Sequence, residues 1–420
     1  MGLSTRNQPK LLKVEVSEKN TRIRLMLVIL LVALGVGLIA YAFHAMITKE
    51  PGWYTIELSD GTTGLGDEFI FNYRIGDAEV SAADEYKAVS TFYETELNRV
   101  YRLFDIYREY EGVVNLYTLN RHPGEVFEVD AVLYEAFERM EAAGSRILYM
   151  GPVFSEYRHL FGSQNDIEAS RVDPRTDEEN RLYLERVMAY VNDPAMVRLE
   201  LLGENRVTLA VDESYRAFLK DNGVTDLIDF GWLTNAFIVD HVADAMTERG
   251  FTAGNITSYD GYTRNFDASG ETYGFNVFDR TGGEAYPAAV AQYRSNIAMV
   301  FLRDYPMSTQ DMTVFYAYAD GRYVHRYASP VTGVYQSALH NLVSYAYDAG
   351  CAEVALGMAD VFIAEAFDES KVQGMQGEGI YSIWCTDHTV FYNDEKMTLQ
   401  DLYTDGTVSY KSEYRKSDLN

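Results

Sequence analysis

The longest apolar run of the chain lies near its N-terminus, before any amphipathic pattern begins. Residues 25–47 read LMLVILLVALGVGLIAYAFHAMI and contain no Asp, Glu, Lys or Arg. A run of this length matches the roughly 20 residues that an α-helix needs to cross a bilayer. Lys and Arg outnumber Asp and Glu in residues 1–24, and the positive-inside rule places such a flank in the cytoplasm. The pattern predicts a basic cytoplasmic tail, a transmembrane helix over residues 25–47, and an extracytoplasmic remainder.

A cleaved signal peptide is the alternative interpretation of this run. Ala40, Tyr41 and Ala42 form a small-x-small pattern that resembles a signal-peptidase site. The run is longer than the roughly 7–15 apolar residues of a signal-peptide core, which favours an uncleaved membrane anchor. Both interpretations predict an exported domain over residues 50–412.

After residue 50 the pattern changes to helical and strand periodicities. Apolar residues that recur every three or four positions predict amphipathic helices, and runs of β-forming residues between turn residues predict strands. The helices are predicted over residues 82–110, 128–148, 181–192, 236–249 and 348–359. The strands are predicted within residues 53–80, over 197–201, 206–211 and 322–327, and around Asn255, Tyr273, Ala298 and Val314. The polar residues 164–180 are predicted to form a loop, and the last ten residues to fray. The exported part is therefore predicted to be an α+β domain.

Charge and cysteine content exclude two classes of function. The 63 acidic residues outnumber the 36 basic ones and give a net charge of −27. Such a surface repels nucleic acid, because phosphate binding needs clustered Lys and Arg. Two cysteines, Cys351 and Cys385, form neither a disulfide scaffold nor a metal-binding spacing. Cys351 is predicted to be in the core, and a single disulfide between the two remains open.

Four stretches of the exported part carry a family resemblance through their order. They are LNRVYRLFDIYREYEGVVNLYTLN (97–120), IDFGWLTNAF (228–237), residues 254–266, and HRYASPVTG (325–333). In that order they resemble the early S-x-x-x-x-L-N, D-L-G-G-I-A-K-G-Y, N-x-G-G-D and H-x-x-D-P-x-T-G segments of the ApbE family, the FAD:protein FMN transferases. The last stretch matches with one extra residue. The helix predicted over 348–359 follows at the place of the family's metal-binding A-D-A-L-x-T segment. The resemblance covers about residues 55–400.

The resemblance implies a fold, a reaction and cofactors. The fold is an α+β domain of mixed, largely antiparallel sheets with packed helices. These enzymes cleave the pyrophosphate of FAD and join the FMN half to a Thr of an exported acceptor protein, with Mg²⁺ neutralising the phosphate charge. FAD and Mg²⁺ are therefore the expected cofactors, and an exported acceptor protein is the expected partner.

The same resemblance implies roles for six residues. His325 is the expected catalytic base, since an imidazole titrates near neutral pH. We expect a carboxylate at position 353 to bind the metal and a shared cavity to bring Asp229, His325 and Glu353 together. The implied cofactor-binding residues are Asp229, Gly231, Thr332 and Gly333, and the implied metal ligand is Glu353.

The sequence departs from the family pattern where the chemistry lies. Asn235 replaces a Lys, Ser329 replaces the Asp before Pro, Gly357 replaces a metal-binding Thr, and residues 257–259 replace a Gly pair. These changes indicate an eroded active site. The first hypothesis is a membrane-anchored, extracytoplasmic transferase that is still active despite these changes.

Two other hypotheses remain. A non-catalytic accessory protein would use the same fold to bind a flavin, a protein or a glycan. An unrelated exported α+β domain would resemble the family by accident, with Gly231 and Gly333 serving turns, Asp229 capping a helix and His325 packed in the core.

Overall fold

The computed structural model describes residues 21–47, 49–58, 65–76, 78–294 and 296–416. The helices are α1 (Thr21–Ile47), α2 (Leu65–Glu68), α3 (Ala82–Phe104), α4 (Leu116–Arg121), α5 (Ala131–Ala142), α6 (Gly151–Phe161), α7 (Asp166–Ser170), α8 (Glu178–Val191), α9 (Glu213–Asp221), α10 (Thr234–Glu248), α11 (Cys351–Phe362) and α12 (Glu369–Gly377), with short 3-10 helices at Ile147–Tyr149, Gly231–Leu233 and Gln310–Thr313. The strands are β1 (Gly52–Ile56), β2 (Phe69–Ile75), β3 (Val126–Glu128), β4 (Val197–Leu201), β5 (Arg206–Val211), β6 (Gly254–Ser258), β7 (Tyr262–Asn265), β8 (Tyr273–Thr281), β9 (Glu284–Tyr293), β10 (Ile297–Arg303), β11 (Phe315–Ala317), β12 (Tyr323–His325), β13 (Asn341–Ala346), β14 (Tyr381–Thr386), β15 (Thr389–Tyr392), β16 (Thr398–Gln400) and β17 (Lys411–Tyr414).

A nine-stranded sheet forms the frame of the domain. Its strand order is β1-β2-β6-β7-β10-β13-β14-β15-β17. Its neighbouring strands pair antiparallel except for β15 and β17, which pair in parallel. Three smaller sheets, β11-β12, β16-β9-β8 and β3-β5-β4, surround it. The predicted α+β class with largely antiparallel sheets is confirmed.

The two faces of the large sheet bury two separate apolar cores. Helices α10 and α11 pack on one face, and α3 packs against α10 and β2. Successive residues of one strand point to opposite faces, so Leu342 belongs to the core under these helices while Val343 belongs to the second core. The second core lies between the large sheet and the β8-β9 hairpin, where Val277 and Ala289 pack. The helices on the first face position the cavity described below.

Several helix boundaries differ from the prediction because acidic side chains cap the backbone. The helix predicted over residues 82–110 ends at Phe104, since the Asp105 carboxylate accepts hydrogen bonds from the Tyr107 and Arg108 amides (2.6 and 3.2 Å) and turns the chain. The helix predicted over residues 128–148 begins after Asp130, which caps the Val132 amide, and ends at residue 142. The predicted loop over residues 164–180 likewise contains the capped helix α7.

The C-terminal residues were predicted to fray, and this prediction is wrong for β17. Lys411–Tyr414 pairs with Thr389–Tyr392 and forms one edge of the large sheet. Residues 417–420 lie outside the described residues.

The N-terminal helix α1 carries the longest apolar run of the chain. Its apolar side chains are exposed, with Leu25 at 60% and Met26 at 72%. Within the stretches that the structure describes, no helix is both long and apolar enough to cross a membrane. The transmembrane helix predicted over residues 25–47 stays a prediction from the sequence. The side chains of residues 40–47 and all of residues 1–20 lie outside the described part.

Both cysteines are buried and free. Cys351 is fully buried at the start of α11, as predicted, and its thiol donates to the Thr263 carbonyl (3.3 Å). The disulfide that the sequence left open is therefore not formed between Cys351 and Cys385.

Candidate functional site

A cavity of about 250 Å³ opens beside the N-terminus of α10. We name it the aromatic cavity because rings from four separate parts of the fold form its walls. It is enclosed by α2, the end of α3 with the following turn, α6, the 3-10 helix before α10, and the turn between β6 and β7. Its rings include Tyr101, Phe104, Tyr107, Phe154, Trp232 and Tyr259.

A tight turn at the start of the Gly231–Leu233 3-10 helix shapes one wall of the aromatic cavity. The Gly231 backbone has a φ of 57°, a left-handed conformation that favours glycine. A Cβ at Gly231 would lie 2.4 Å from the Phe154 ring, so the close approach of this ring also requires glycine. The Asp229 carboxylate accepts a hydrogen bond from the Gly231 amide (2.7 Å) and holds the turn. Two residues that the sequence singled out, Asp229 and Gly231, therefore line the same cavity.

Both guanidinium groups of the aromatic cavity are paired with carboxylates. Arg158 binds Asp226 and Asp229 at 2.9 and 2.8 Å. Arg326 binds Asp260 at 2.9 Å, and both of these side chains are largely buried. The cavity is also lined by Glu68 and Asp105, so its carboxyl groups outnumber its guanidinium groups.

The Glu68 carboxyl of the aromatic cavity has a pKa well above its ordinary value. Burial raises the pKa of Glu68 and the nearby Asp260 charge acts in the same direction, so that the pKa is about 7 instead of 4.5. The Asn235 side-chain amide donates a hydrogen bond to Glu68 (3.1 Å), which opposes these effects. Near neutral pH the Glu68 carboxyl therefore exchanges between a donor and an acceptor form.

Two buried N–H groups on the walls of the aromatic cavity have no hydrogen-bond partner among the described residues. They are Trp232 Nε1–H and Arg326 Nε–H. A buried donor without a partner costs about 1–3 kcal/mol, so native structures rarely leave one unpaired. Both atoms are shut off from solvent in this structure, so a ligand would reach them only after neighbouring side chains move.

His325 and Thr332 do not line the aromatic cavity. They line a second depression of about 630 Å³, which we name the arginine groove and define by Arg175, Arg181, Arg280, His325, Thr332 and Tyr335. His325 is the last residue of β12, and successive residues of an extended chain point to opposite sides. His325 therefore faces the groove, while its neighbour Arg326 lines the aromatic cavity.

The remaining two predicted site residues lie apart from both sites. Gly333 has a φ of 72° and packs against α8, and its carbonyl accepts from the Tyr157 hydroxyl (3.0 Å). Glu353 is exposed in the first turn of α11 and lines neither depression. The expected shared cavity of Asp229, His325 and Glu353 is thus not formed, because Asp229 and His325 belong to different sites.

The predicted metal site does not fit a metal ion. One turn after Glu353, Gly357 offers no side-chain oxygen, and a Cβ there would lie 2.8 Å from Ile380. Mg²⁺ prefers several oxygen ligands in octahedral geometry. Across residues 21–416, where the structure describes them, no group of three His, Cys, Asp or Glu side chains is placed to hold a metal ion.

Three residues of the aromatic cavity were missed in the sequence: Glu68, Arg158 and Arg326. The sequence did contain a signal for Arg326. In H-x-x-D-P-x-T-G the His lies four residues before the Pro, and Arg326 lies four residues before Pro330. Arg158 had none, since its partner Asp229 lies 71 residues away in the chain.

Comparisons with known proteins bear on the fold. No protein-family model matches the chain, and no curated protein sequence matches it. Among solved structures, the ApbE protein of Thermotoga maritima superposes with a TM-score of 0.53 at 15% identity, covering 83% of this chain and 96% of that one. The flavin transferase ApbE from Vibrio cholerae gives 0.52 at 15% identity, covering 84% and 97%. A histidine-to-glycine mutant of the Vibrio cholerae protein gives 0.50 at 16% identity, again covering 84% and 97%. The chain therefore has an ApbE-like fold.

Proposed function

We propose that this chain, which has an ApbE-like fold, binds the ring system of a flavin in the aromatic cavity and acts as a non-catalytic relative of the flavin transferases. The observation that carries the proposal is a cavity of about 250 Å³ walled by aromatic rings, with the Glu68 carboxyl and the Asn235 amide on its wall. Pockets for planar ligands combine such apolar walls with a few fixed polar groups.

The polar groups of the aromatic cavity suit the edge of a flavin ring. The isoalloxazine of a flavin is flat, with carbonyl and ring-nitrogen acceptors and one imide N–H along its polar edge. The Glu68 carboxyl, with its pKa of about 7, suits either kind of partner. The Tyr107 ring, exposed at the rim, provides a surface for stacking.

The charges of the aromatic cavity oppose binding of the pyrophosphate of FAD. Asp105, Asp229 and Asp260 would repel its two negative charges, and Arg158 and Arg326 are already held by carboxylates. A divalent cation would offset this repulsion, but Glu353 and Gly357 do not fit one. These features support ring binding without transfer of FMN.

An active Mg²⁺-dependent FMN transferase acting on a Thr of an exported acceptor protein is the second candidate. One observation favours it: the Glu68 carboxyl has a pKa of about 7, a value suited to a general base. In this candidate Glu68, rather than His325, would accept the proton of the attacking hydroxyl.

One titration distinguishes the two candidates. The purified full chain is mixed with riboflavin or FAD, with and without Mg²⁺ and a Thr-bearing acceptor protein, while flavin fluorescence and AMP release are followed. Saturable quenching without AMP release is the expected result. Mg²⁺-dependent AMP release would establish the transferase, and the absence of quenching by either flavin would end both flavin proposals.

Location outside the cell membrane stays a prediction from the sequence. It rests on the apolar run over residues 25–47 and the basic flank before it. Resistance of the full chain to alkaline extraction from membranes, together with cleavage of residues beyond 50 by protease added outside intact cells, is the expected outcome. Release into the alkaline supernatant would contradict anchoring.

A further inference from the structure

We propose that the arginine groove is a binding site for a small organic or inorganic oxyanion, held by Arg175, Arg280 and His325. The groove is separate from the aromatic cavity, so this proposal does not rest on flavin binding. Its volume of about 630 Å³ is in the range of small-molecule sites.

The two guanidinium groups are oriented but not neutralised. Arg175 lies over the Tyr335 ring at 4.1 Å and donates to the Tyr335 carbonyl. Arg280 lies over the Tyr323 ring at 4.6 Å and donates to the Gly321 carbonyl (3.3 Å). In the described chain neither guanidinium forms an ion pair with a carboxylate. Stacking on an aromatic ring leaves the edge of a guanidinium free to bind a carboxylate or phosphate with two parallel hydrogen bonds.

Arg175 and Arg280 differ in this respect from the arginines of the aromatic cavity. Arg158 and Arg326 are paired with carboxylates. Arg175 and Arg280 have no such partner among the described residues, and both line the arginine groove.

His325 adds a third donor to the arginine groove. Its Nδ1 accepts a hydrogen bond from the Tyr327 amide (3.3 Å), so the neutral ring carries its proton on Nε2. Among the described residues Nε2 has no hydrogen-bond partner, although the side chain is only 4% exposed. Burial, and then the nearby Arg175 charge, lower the pKa of His325 to about 4 although Asp304 opposes them, so the ring stays neutral at pH 7. His325 therefore presents a fixed N–H to the groove.

The carboxylates of the arginine groove are mostly engaged elsewhere. Glu185 pairs with Arg181, and Asp304 accepts from the Ser337 hydroxyl (3.0 Å) and lies 3.1 Å from His340 Nδ1. Glu365 is exposed, so solvent screens its charge. Each of Arg175 and Arg280 uses one guanidinium nitrogen to bind a carbonyl, and their other guanidinium N–H groups, like His325 Nε2–H, have no acceptor among the described residues.

Calorimetric titration of the full chain tests the site with inorganic phosphate and with succinate as probes. We expect saturable binding of at least one probe, weakened about tenfold by Arg175→Gln and by Arg280→Gln. Arg171→Gln is the matched control, because Arg171 is exposed in the same segment and lines neither site; it should change affinity less than twofold. A preference for succinate identifies a carboxylate ligand, and a preference for phosphate a phosphorylated one.

A measurement on the unmodified chain guards against misfolded variants. The ¹⁵N resonance of His325 Nε2–H should shift on titration with the bound probe. Absence of saturable binding for both probes, an equal loss with Arg171→Gln, or an unshifted His325 resonance would each overturn the proposal.

Discussion

Neighbouring residues at the end of β12 line the two sites: Arg326 lines the aromatic cavity and His325 lines the arginine groove. The arginines of the two sites nevertheless have different partners. Arg326 enters the cavity and is neutralised by Asp260 at 2.9 Å, largely out of water. Arg175 borders the groove, lies over the Tyr335 ring and pairs with no carboxylate of the described chain. An arginine paired with a buried carboxylate therefore contributes to stability, whereas one that stacks on a ring and binds a carbonyl keeps N–H groups for a ligand.

The two arginines should differ most clearly in how much each contributes to the free energy of unfolding. Arg326→Ala should lower the free energy of unfolding by about 3–5 kcal/mol, because it leaves the buried Asp260 carboxylate without its partner. Arg175→Ala should cost less than about 1 kcal/mol. Urea unfolding measures both, and adding Asp260→Asn to Arg326→Ala should recover part of the loss. Equal, small losses for the two arginines would remove the distinction between the sites.

The second prediction concerns the pH dependence of folding stability, which Glu68 in the aromatic cavity should control. The folded-state pKa of Glu68, about 7, lies above its unfolded value of 4.5, so folding takes up a proton between these values. The contribution of Glu68 to stability is thus full below pH 4.5 and is lost as the pH rises to about 7. Glu68→Gln should therefore match the unmodified chain near pH 4.5 and exceed its stability by about 1–3 kcal/mol near pH 8. A difference that does not change with pH would mean that Glu68 is not buried as described.

A smaller effect on binding tests the rim of the aromatic cavity. Tyr107 is 64% exposed, so Tyr107→Ala should leave the melting temperature unchanged while weakening flavin binding about tenfold through lost stacking. Tyr117→Ala is the control, because the Tyr117 ring lies under Arg121 (4.7 Å) as the Tyr107 ring lies under Arg158 (5.6 Å), but Tyr117 lines neither site. Fluorescence quenching gives both affinities. A similar loss in the two variants would place the flavin elsewhere.

The smallest effect belongs to the groove. The Thr332 hydroxyl accepts from the Val334 amide (3.3 Å) and is exposed, which leaves its proton free for an anion. Thr332→Val should weaken phosphate or succinate binding about twofold to threefold, the range of one solvent-exposed hydrogen bond. Flavin affinity, measured in parallel, should not change, because Thr332 is not part of the aromatic cavity.

Local patterns predicted the α+β class, the hairpin of β4 and β5, and helix α10, because these follow from periodicity and turn residues within short segments. The resemblance also selected Asp229 and Gly231, which do line one cavity. The resemblance led us to expect His325 in the same cavity as Asp229, whereas His325 lines the arginine groove. A shift of one residue on an extended chain moves a side chain to the other side. The pair of Arg158 with Asp229 could not be predicted, because its members meet only through the tertiary fold.

The parallel pairing of β17 with β15 has a consequence for handling the protein. Removing residues after 410 would strip this strand and leave the backbone amides and carbonyls of β15 open to recruit a second chain. Lys411 and Glu413 are exposed on β17 and discourage such recruitment while the strand is present. Shortening the chain by ten residues should therefore promote aggregation.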